Sequence, residues 1–325
     1  MKEILPFLIM LLLVSVAGCS KVGTTLDGMQ GQYYLDRADH AGGRAAFASR
    51  LAEKPDDPVL NYYMARFELG ADNPDAALPR IQKAVALSPG TVEYHFWEGV
   101  TWWALMQPDK ESAAYKRALV LDPNHLSANL YLGHNMLDRG NNDAALAHYN
   151  KVLSLNPHES QAMFNKSVAL ERLKRTAEMK KSLLGYLERY PDTSLACQGV
   201  RMLNKSGDFS WRNHVIGLRT VPLQAVAFRT GTAILTDGAA SSLQRIGAIM
   251  SAKPSLELHV VVYVGGNAKL ARERALAVRT HVHRVFPDVA SKRLVPSWFG
   301  QSEMIKTDGG AYARNESVNI FTKIQ

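Results

Sequence analysis

Prolines set the strongest constraint on this chain. Pro55, Pro89, Pro123, Pro157 and Pro191 stand 34 residues apart, in contexts that agree: Glu53-Lys54-Pro55, Leu87-Ser88-Pro89, Leu121-Asp122-Pro123, Leu155-Asn156-Pro157 and Arg189-Tyr190-Pro191. A chain that repeats at such a period folds as a solenoid, because one unit cannot bury its apolar face alone and must stack on its neighbours. Proline lacks a backbone donor and disfavours helical geometry in the residue before it, so each of these prolines closes a helix. Pro74 and Pro108, again 34 apart, open helices at a position where no donor is lost. Small residues recur at Ala65, Gly99, Gly133 and Ser167, where one helix must approach the next. Bulk recurs at Ile81, Tyr115, Tyr149 and Leu183, with Ala84, Ala118 and Val152 three positions on.

This pattern resembles the tetratricopeptide repeat (TPR), a helix-turn-helix unit closed by a proline. The match is sharpest from Pro58 to Pro157. It continues through Ser160–Pro191, with Met179 and Tyr186 at small-residue positions, and back through Leu26–Pro55, where Gly31, Tyr34 and Phe47 are in phase. Five repeats and a capping helix near Ser194–Asn204 make an all-α solenoid over residues 26–206. The resemblance implies a groove lined by the first helix of each unit. Counted from Pro58, its fifth position is Tyr62, Phe96, Leu130 and Phe164; its ninth includes Arg66 and His134, and its twelfth Leu69, Trp103 and Leu137. An aromatic-rich groove suits an amphipathic helix or an extended peptide. The alternative is that these side chains pack between repeats.

The N-terminus reads as an address. Ile4 to Ala17 is apolar apart from Pro6 and Ser15, too short to cross a bilayer comfortably but suited to a signal peptide. Val16-Ala17-Gly18-Cys19 resembles the bacterial lipobox, which implies a signal peptide over residues 1–18, acylation at Cys19 and a tether over residues 19–25. Ser20 after the cysteine implies sorting to the outer membrane on the periplasmic side, with acyl chains as the anchor. Cys197 then has no intramolecular partner, and we read it as a small buried hydrophobe in a helix.

The last third changes character. Residues 212–325 carry 15 Lys and Arg against 7 Asp and Glu, which accounts for the whole formal charge of +8. Such asymmetry points to an anionic partner or to a solvated basic surface. Ala225–Phe228 reads as a short strand, Asp237–Ala252 as a helix with Leu243, Ile246, Ile249 and Met250 on one face, and Leu256–Val264 as a central strand. Asn267–Phe286 reads as a second helix, and Leu294–Phe299 and Ser317–Lys323 as the last strands. The expected class is therefore two-domain, α followed by α/β: the solenoid, then an α+β sandwich over residues 212–325.

That order resembles the peptidoglycan-associating fold of outer-membrane protein A (OmpA-like). Its landmarks here are Phe228, the turn Tyr263-Val264-Gly265, the helix start Asn267, Leu270, Arg274 and Ala275, then Gly300 with Glu303, and Asn315 before the last strand. The family grips the zwitterionic end of a wall stem peptide with an aspartate for the ammonium and an arginine for the carboxylate, which a guanidinium can bind with two parallel hydrogen bonds. Arg274 takes the arginine's place, with Asn267 and Asn315 as neighbouring wall-binding candidates. The aspartate's place falls on Gly265, and Glu316 and Ser317 stand where paired arginines are usual. Half of the clamp is missing, and Asp308 or Glu316 are the available substitutes for its anion.

No nucleophile elbow, His-Glu-x-x-His helix or phosphate-cradling loop is present, and His281 and His283 point to different faces of one helix. The reading is of a protein without catalytic residues, metal or cofactor, and without a nucleic-acid partner. Besides an enzyme of the wall, for which no motif speaks, two functions stay open. One is an outer-membrane lipoprotein scaffold holding a protein in its groove and touching peptidoglycan. The other is an assembly or pilotin-like lipoprotein of a secretion or adhesive-pilus (Tad-like) system, with the OmpA-like domain docking onto protein.

Overall fold

The computed structural model describes residues 26–322. The expected signal peptide, Cys19 and the tether lie outside them. The chain divides into two compact units between Ala169 and Leu170.

The first unit is built of helix pairs: Leu26–Asp36 (α1) with His40–Glu53 (α2), Pro58–Gly70 (α3) with Pro74–Leu87 (α4), Val92–Ala104 (α5) with Pro108–Leu121 (α6), and Leu126–Asp138 (α7) with Asn142–Leu155 (α8). Helix α9, Ser160–Arg172, runs across the division. The small residues do what their spacing demands. A Cβ on Gly99 would come within 2.3 Å of the Tyr115 ring, and one on Gly133 within 2.8 Å of that of Tyr149. Every pair turns in the same way. Ala38, Asp72, Met106, Gly140 and Lys174 all have positive φ, and the next residue's N–H returns to a carbonyl five residues back, as in Asn73 to Glu68 (2.9 Å) and Gln107 to Trp102 (2.9 Å). This is the Schellman closure, which satisfies carbonyls left over at a helix end.

A second recurrence ties one repeat to the next. The Asn61 side-chain amide donates to the Pro55 carbonyl (2.9 Å), the His95 ring bonds to that of Pro89 (2.8 Å), and the Asn129 amide donates to that of Pro123 (3.1 Å). These residues are themselves 34 apart and buried. The proline that ends one repeat is thereby hydrogen-bonded to the first helix of the next.

The second unit carries Thr176–Arg189 (α10) and Ser194–Lys205 (α11), then an α+β arrangement. Trp211–Ile216 (β1) and Arg219–Gln224 (β2) form a hairpin, followed by Asp237–Ala252 (α12), Leu258–Val264 (β3), Ala268–Val285 (α13) and Leu294–Phe299 (β4). Glu303–Thr307 (β5) and Gly310–Arg314 (β6) form a second hairpin before Glu316–Phe321 (β7). The three-stranded sheet has the order β4-β3-β7, with β3 parallel to β4 and antiparallel to β7. Leu243, Ile246 and Met250 of α12 and Ala271, Ala275, Val278 and Val282 of α13 meet Leu258, Val260 and Val262 of β3 in one core.

Three readings of this region need correction. Ala225–Phe228 is not a strand; its only ladder contact is an isolated bridge from Phe228 to Leu235. Strand β1 instead lies beside β7, with Thr322 N–H donating to the Val215 carbonyl (3.0 Å). Neither hairpin shows in the apolar pattern, because their turns, at Gly217 (φ +63°) and at Gly309-Gly310, join strands with mostly polar or half-buried faces. Cys197 is half-buried rather than buried, its thiol 3.6 Å from the Thr220 carbonyl.

Candidate functional site

The repeats supply one candidate surface. Tyr62, Phe96, Leu130 and Phe164, the expected groove column, are all buried. Phe96 sits among Tyr115, Tyr131 and His125 with ring centres 5.3–5.8 Å apart. Phe96 thus packs against the next repeat through His125 and Tyr131. What remains partly exposed is Arg66, Leu69, Trp103 and His134. Arg66 donates to the Tyr62 hydroxyl (3.1 Å) and stacks over the Trp97 ring at 4.0 Å, a cation held on an aromatic face. His134 lies against Tyr131 and Tyr149, and burial pushes its ring down to about 4, so it is neutral at pH 7.

Two buried carboxylates without a sequence signal lie in one helix pair, Glu98 in α5 and Glu111 in α6. Glu98 is buried and accepts from Arg117 (2.9 Å). Burial resists its ionisation, but His95 and Arg117 overcome that and hold the carboxyl below its ordinary range. Glu111 is buried and accepts from the Asn135 amide (2.9 Å), and burial raises it to about 7.

The strand-bearing unit holds a cavity of about 140 Å³ between the 225–228 segment and β7, lined by Phe209, Arg212, Phe228, Arg274, Arg314 and Glu316 among others. Arg212 makes a bidentate pair with Glu303 (2.7 and 2.9 Å). Burial works against the Glu303 carboxylate, yet Arg212 outweighs it and keeps the group ionised below its usual range. Arg274 is only 1% exposed. Its Nε donates to the Thr232 carbonyl (2.8 Å), its Nη1 pairs with Glu316 at 2.9 Å, and its guanidinium covers the Phe228 ring at 4.8 Å. Its Nη2 is buried without a hydrogen-bond partner.

The other wall-binding candidates do not line this cavity. Asn267 caps α13 by accepting from Leu270 N–H (2.9 Å). Asn315 accepts from the Ser302 hydroxyl (2.8 Å) through its side chain and from Gly265 N–H (2.7 Å) through its carbonyl. At Gly265 a Cβ would meet Ser302 Oγ at 3.0 Å, so an aspartate there has little room. Among the described residues, no group of three or more His, Cys, Asp or Glu could hold a metal ion, and no helix is long and apolar enough to cross a membrane.

Residues 62–125 and 130–192 match the family model of the tetratricopeptide repeat. The helix pairs within those residues are thus TPR units, a kind of repeat suited to protein–protein interaction. The solved structure of pilF from Pseudomonas aeruginosa aligns with a TM-score of 0.51 at 14% identity, covering 70% of this chain and 90% of that one. A structure of MamA aligns with a TM-score of 0.46 at 21% identity, covering 50% of this chain and 89% of that one. A curated human protein, protein O-mannosyl-transferase TMTC3, is 30% identical over 115 residues; the match takes in 34% of this chain and only 12% of that protein's length.

Proposed function

We propose that this protein is a non-enzymatic lipoprotein scaffold of a bacterial outer membrane. Its repeats hold a protein or peptide partner, and its OmpA-like unit docks onto protein, as in an assembly or pilotin-like lipoprotein of a secretion or adhesive-pilus system. The observation that carries the docking half is Arg274. The arginine that would grip a wall carboxylate is buried, and Thr232 and Glu316 already occupy it. A stem peptide would have to displace Glu316 from a bond that is charge-assisted on both sides. The lipid anchor is supported by the apolar run and by Val16-Ala17-Gly18-Cys19.

One observation favours wall contact instead. Nη2 of Arg274 is unpartnered, and Glu316, half-exposed, stands beside it at the cavity. A zwitterion could place its carboxylate on Nη2 and its ammonium on Glu316. Sedimentation of the full-length protein with purified sacculi over a salt series separates the readings. Docking predicts weak binding that fades with salt as diffuse attraction does, equally in wild type and Glu316→Gln. Binding that survives salt in wild type and drops about tenfold or more in Glu316→Gln would replace docking by wall recognition. Anchoring is tested separately: Cys19→Ala should accumulate as an unprocessed precursor without acyl label, and normal processing would remove the lipoprotein assignment.

A further inference from the structure

Among the described residues, no helix pair precedes the first one. Elsewhere in the unit the second helix of one pair packs on the first helix of the next. The positions in register with Leu26 are Leu60, Tyr94 and Ala128, exposed by 0, 2 and 0%. Those in register with Tyr33 are Phe67, Thr101 and Asn135, at 0, 0 and 4%. In α1 the same positions stand open: Leu26 is 75% exposed and Tyr33 50%, with Met29 between them at 56%. Steps of three and four residues put the three side chains on one stripe. The acidic residues of α1 are engaged elsewhere, Asp27 with Arg50 and Asp36 with Gln32. Arg37 lies over the Tyr33 ring at 3.7 Å and closes the stripe with a cation.

Three occupants could cover it. The preceding chain is one, but on the lipoprotein reading the mature protein keeps seven residues, Cys19 to Thr25, before α1. The second helices that do this covering elsewhere in the unit have 14 residues each, and a turn besides. A second copy is another, but three side chains offer a few hundred Å² at most, against about 800 Å² per partner in a stable interface. A lipid surface needs no matching shape. Seven extended residues reach about 25 Å at most, so an acyl group on Cys19 holds α1 at the bilayer. Once anchored, a small apolar stripe suffices, because the tether keeps its effective concentration high.

We infer that Leu26, Met29 and Tyr33 rest in the headgroup region of the anchoring membrane, with Arg37 at the lipid phosphates. The tyrosine ring and the long arginine side chain suit that boundary, where one end is apolar and the other wet. This inference rests on the lipoprotein reading, so its test must separate the two failures. Full-length acylated protein with Met29→Cys in a Cys197→Ser background is labelled with an environment-sensitive fluorophore. It is then floated with vesicles of phosphatidylethanolamine and phosphatidylglycerol. A blue shift, and quenching by brominated lipid at position 29 but not at a control Lys116→Cys, is the expected result. Protein that floats without quenching at position 29 overturns the inference and leaves the anchor standing. Protein that carries no acyl group and does not float removes the anchor, and the inference with it. Cross-linking between copies through position 29 would assign the stripe to a second copy and overturn the lipid contact.

Discussion

The two units meet the same demand, a buried polar group, in opposite ways. In the repeats the need recurs and is met repeatedly: Asn61, His95 and Asn129 each satisfy a proline carbonyl within a few residues of chain. In the strand-bearing unit, one residue, Arg274, joins the Thr232 carbonyl, Glu316 at the start of β7 and the Phe228 ring, positions scattered over nearly ninety residues. Repetition spreads the energetic stake over several similar links. A single long-range node concentrates it.

That contrast is breakable by mutation, and the largest effect belongs to the node. Arg274→Ala should destabilise the strand-bearing unit by about 3 kcal/mol or more, since it strips several partners of a buried cation at once and leaves a void. Denaturant unfolding followed by near-ultraviolet signal checks it, and a loss below 1 kcal/mol would show that the node is dispensable. Next comes Glu111. Its carboxyl titrates near 7 in the fold and lower when unfolded, so the protonated form is the stabilised one and stability falls as pH rises between those values. Glu111→Gln should therefore gain up to about 3 kcal/mol at pH 8 and almost nothing at pH 4, read as a difference in unfolding midpoint between the two pH values.

Smaller effects test the repetition. Asn129→Ala removes donors to the Pro123 and His125 carbonyls and should cost about 1–2 kcal/mol, well short of Arg274→Ala. Equal losses at the two sites would erase the distinction. The smallest effect has the opposite sign. Met106 holds φ +56° in a turn while 73% exposed, so Met106→Gly relieves left-handed strain without losing a packed side chain. A gain of about 0.5–1 kcal/mol is expected after the added freedom of the unfolded chain is discounted, visible as a modest rise in melting temperature.

Much of the helical framework was legible because its causes are local. Prolines at 34-residue spacing predict where helices stop, Pro74 and Pro108 where they start, and Gly99 and Gly133 where they touch. The helix Asp237–Ala252 and the strand Leu294–Phe299 were equally plain from apolar period and flanking residues. The Schellman turns were not, although they are as periodic as the prolines. Ala38, Met106 and Lys174 show no preference for positive φ and Asp72 only a mild one; the geometry is imposed by the helices they join, and Gly140 alone of the five advertises it plainly. The candidate site was read only in part. Arg274 and Glu316 stand out in the sequence, but their pairing, and the burial of Arg274, depend on contacts far apart in the chain. The groove column shows the same limit: aromatic residues at helical spacing mark a face, and only packing decides whether that face meets a partner or the next helix. Sequence alone therefore determined the repeat, its period and its close approaches. Tertiary structure decided which polar groups are satisfied and which apolar positions stay open, because those follow from the neighbours that long-range folding brings.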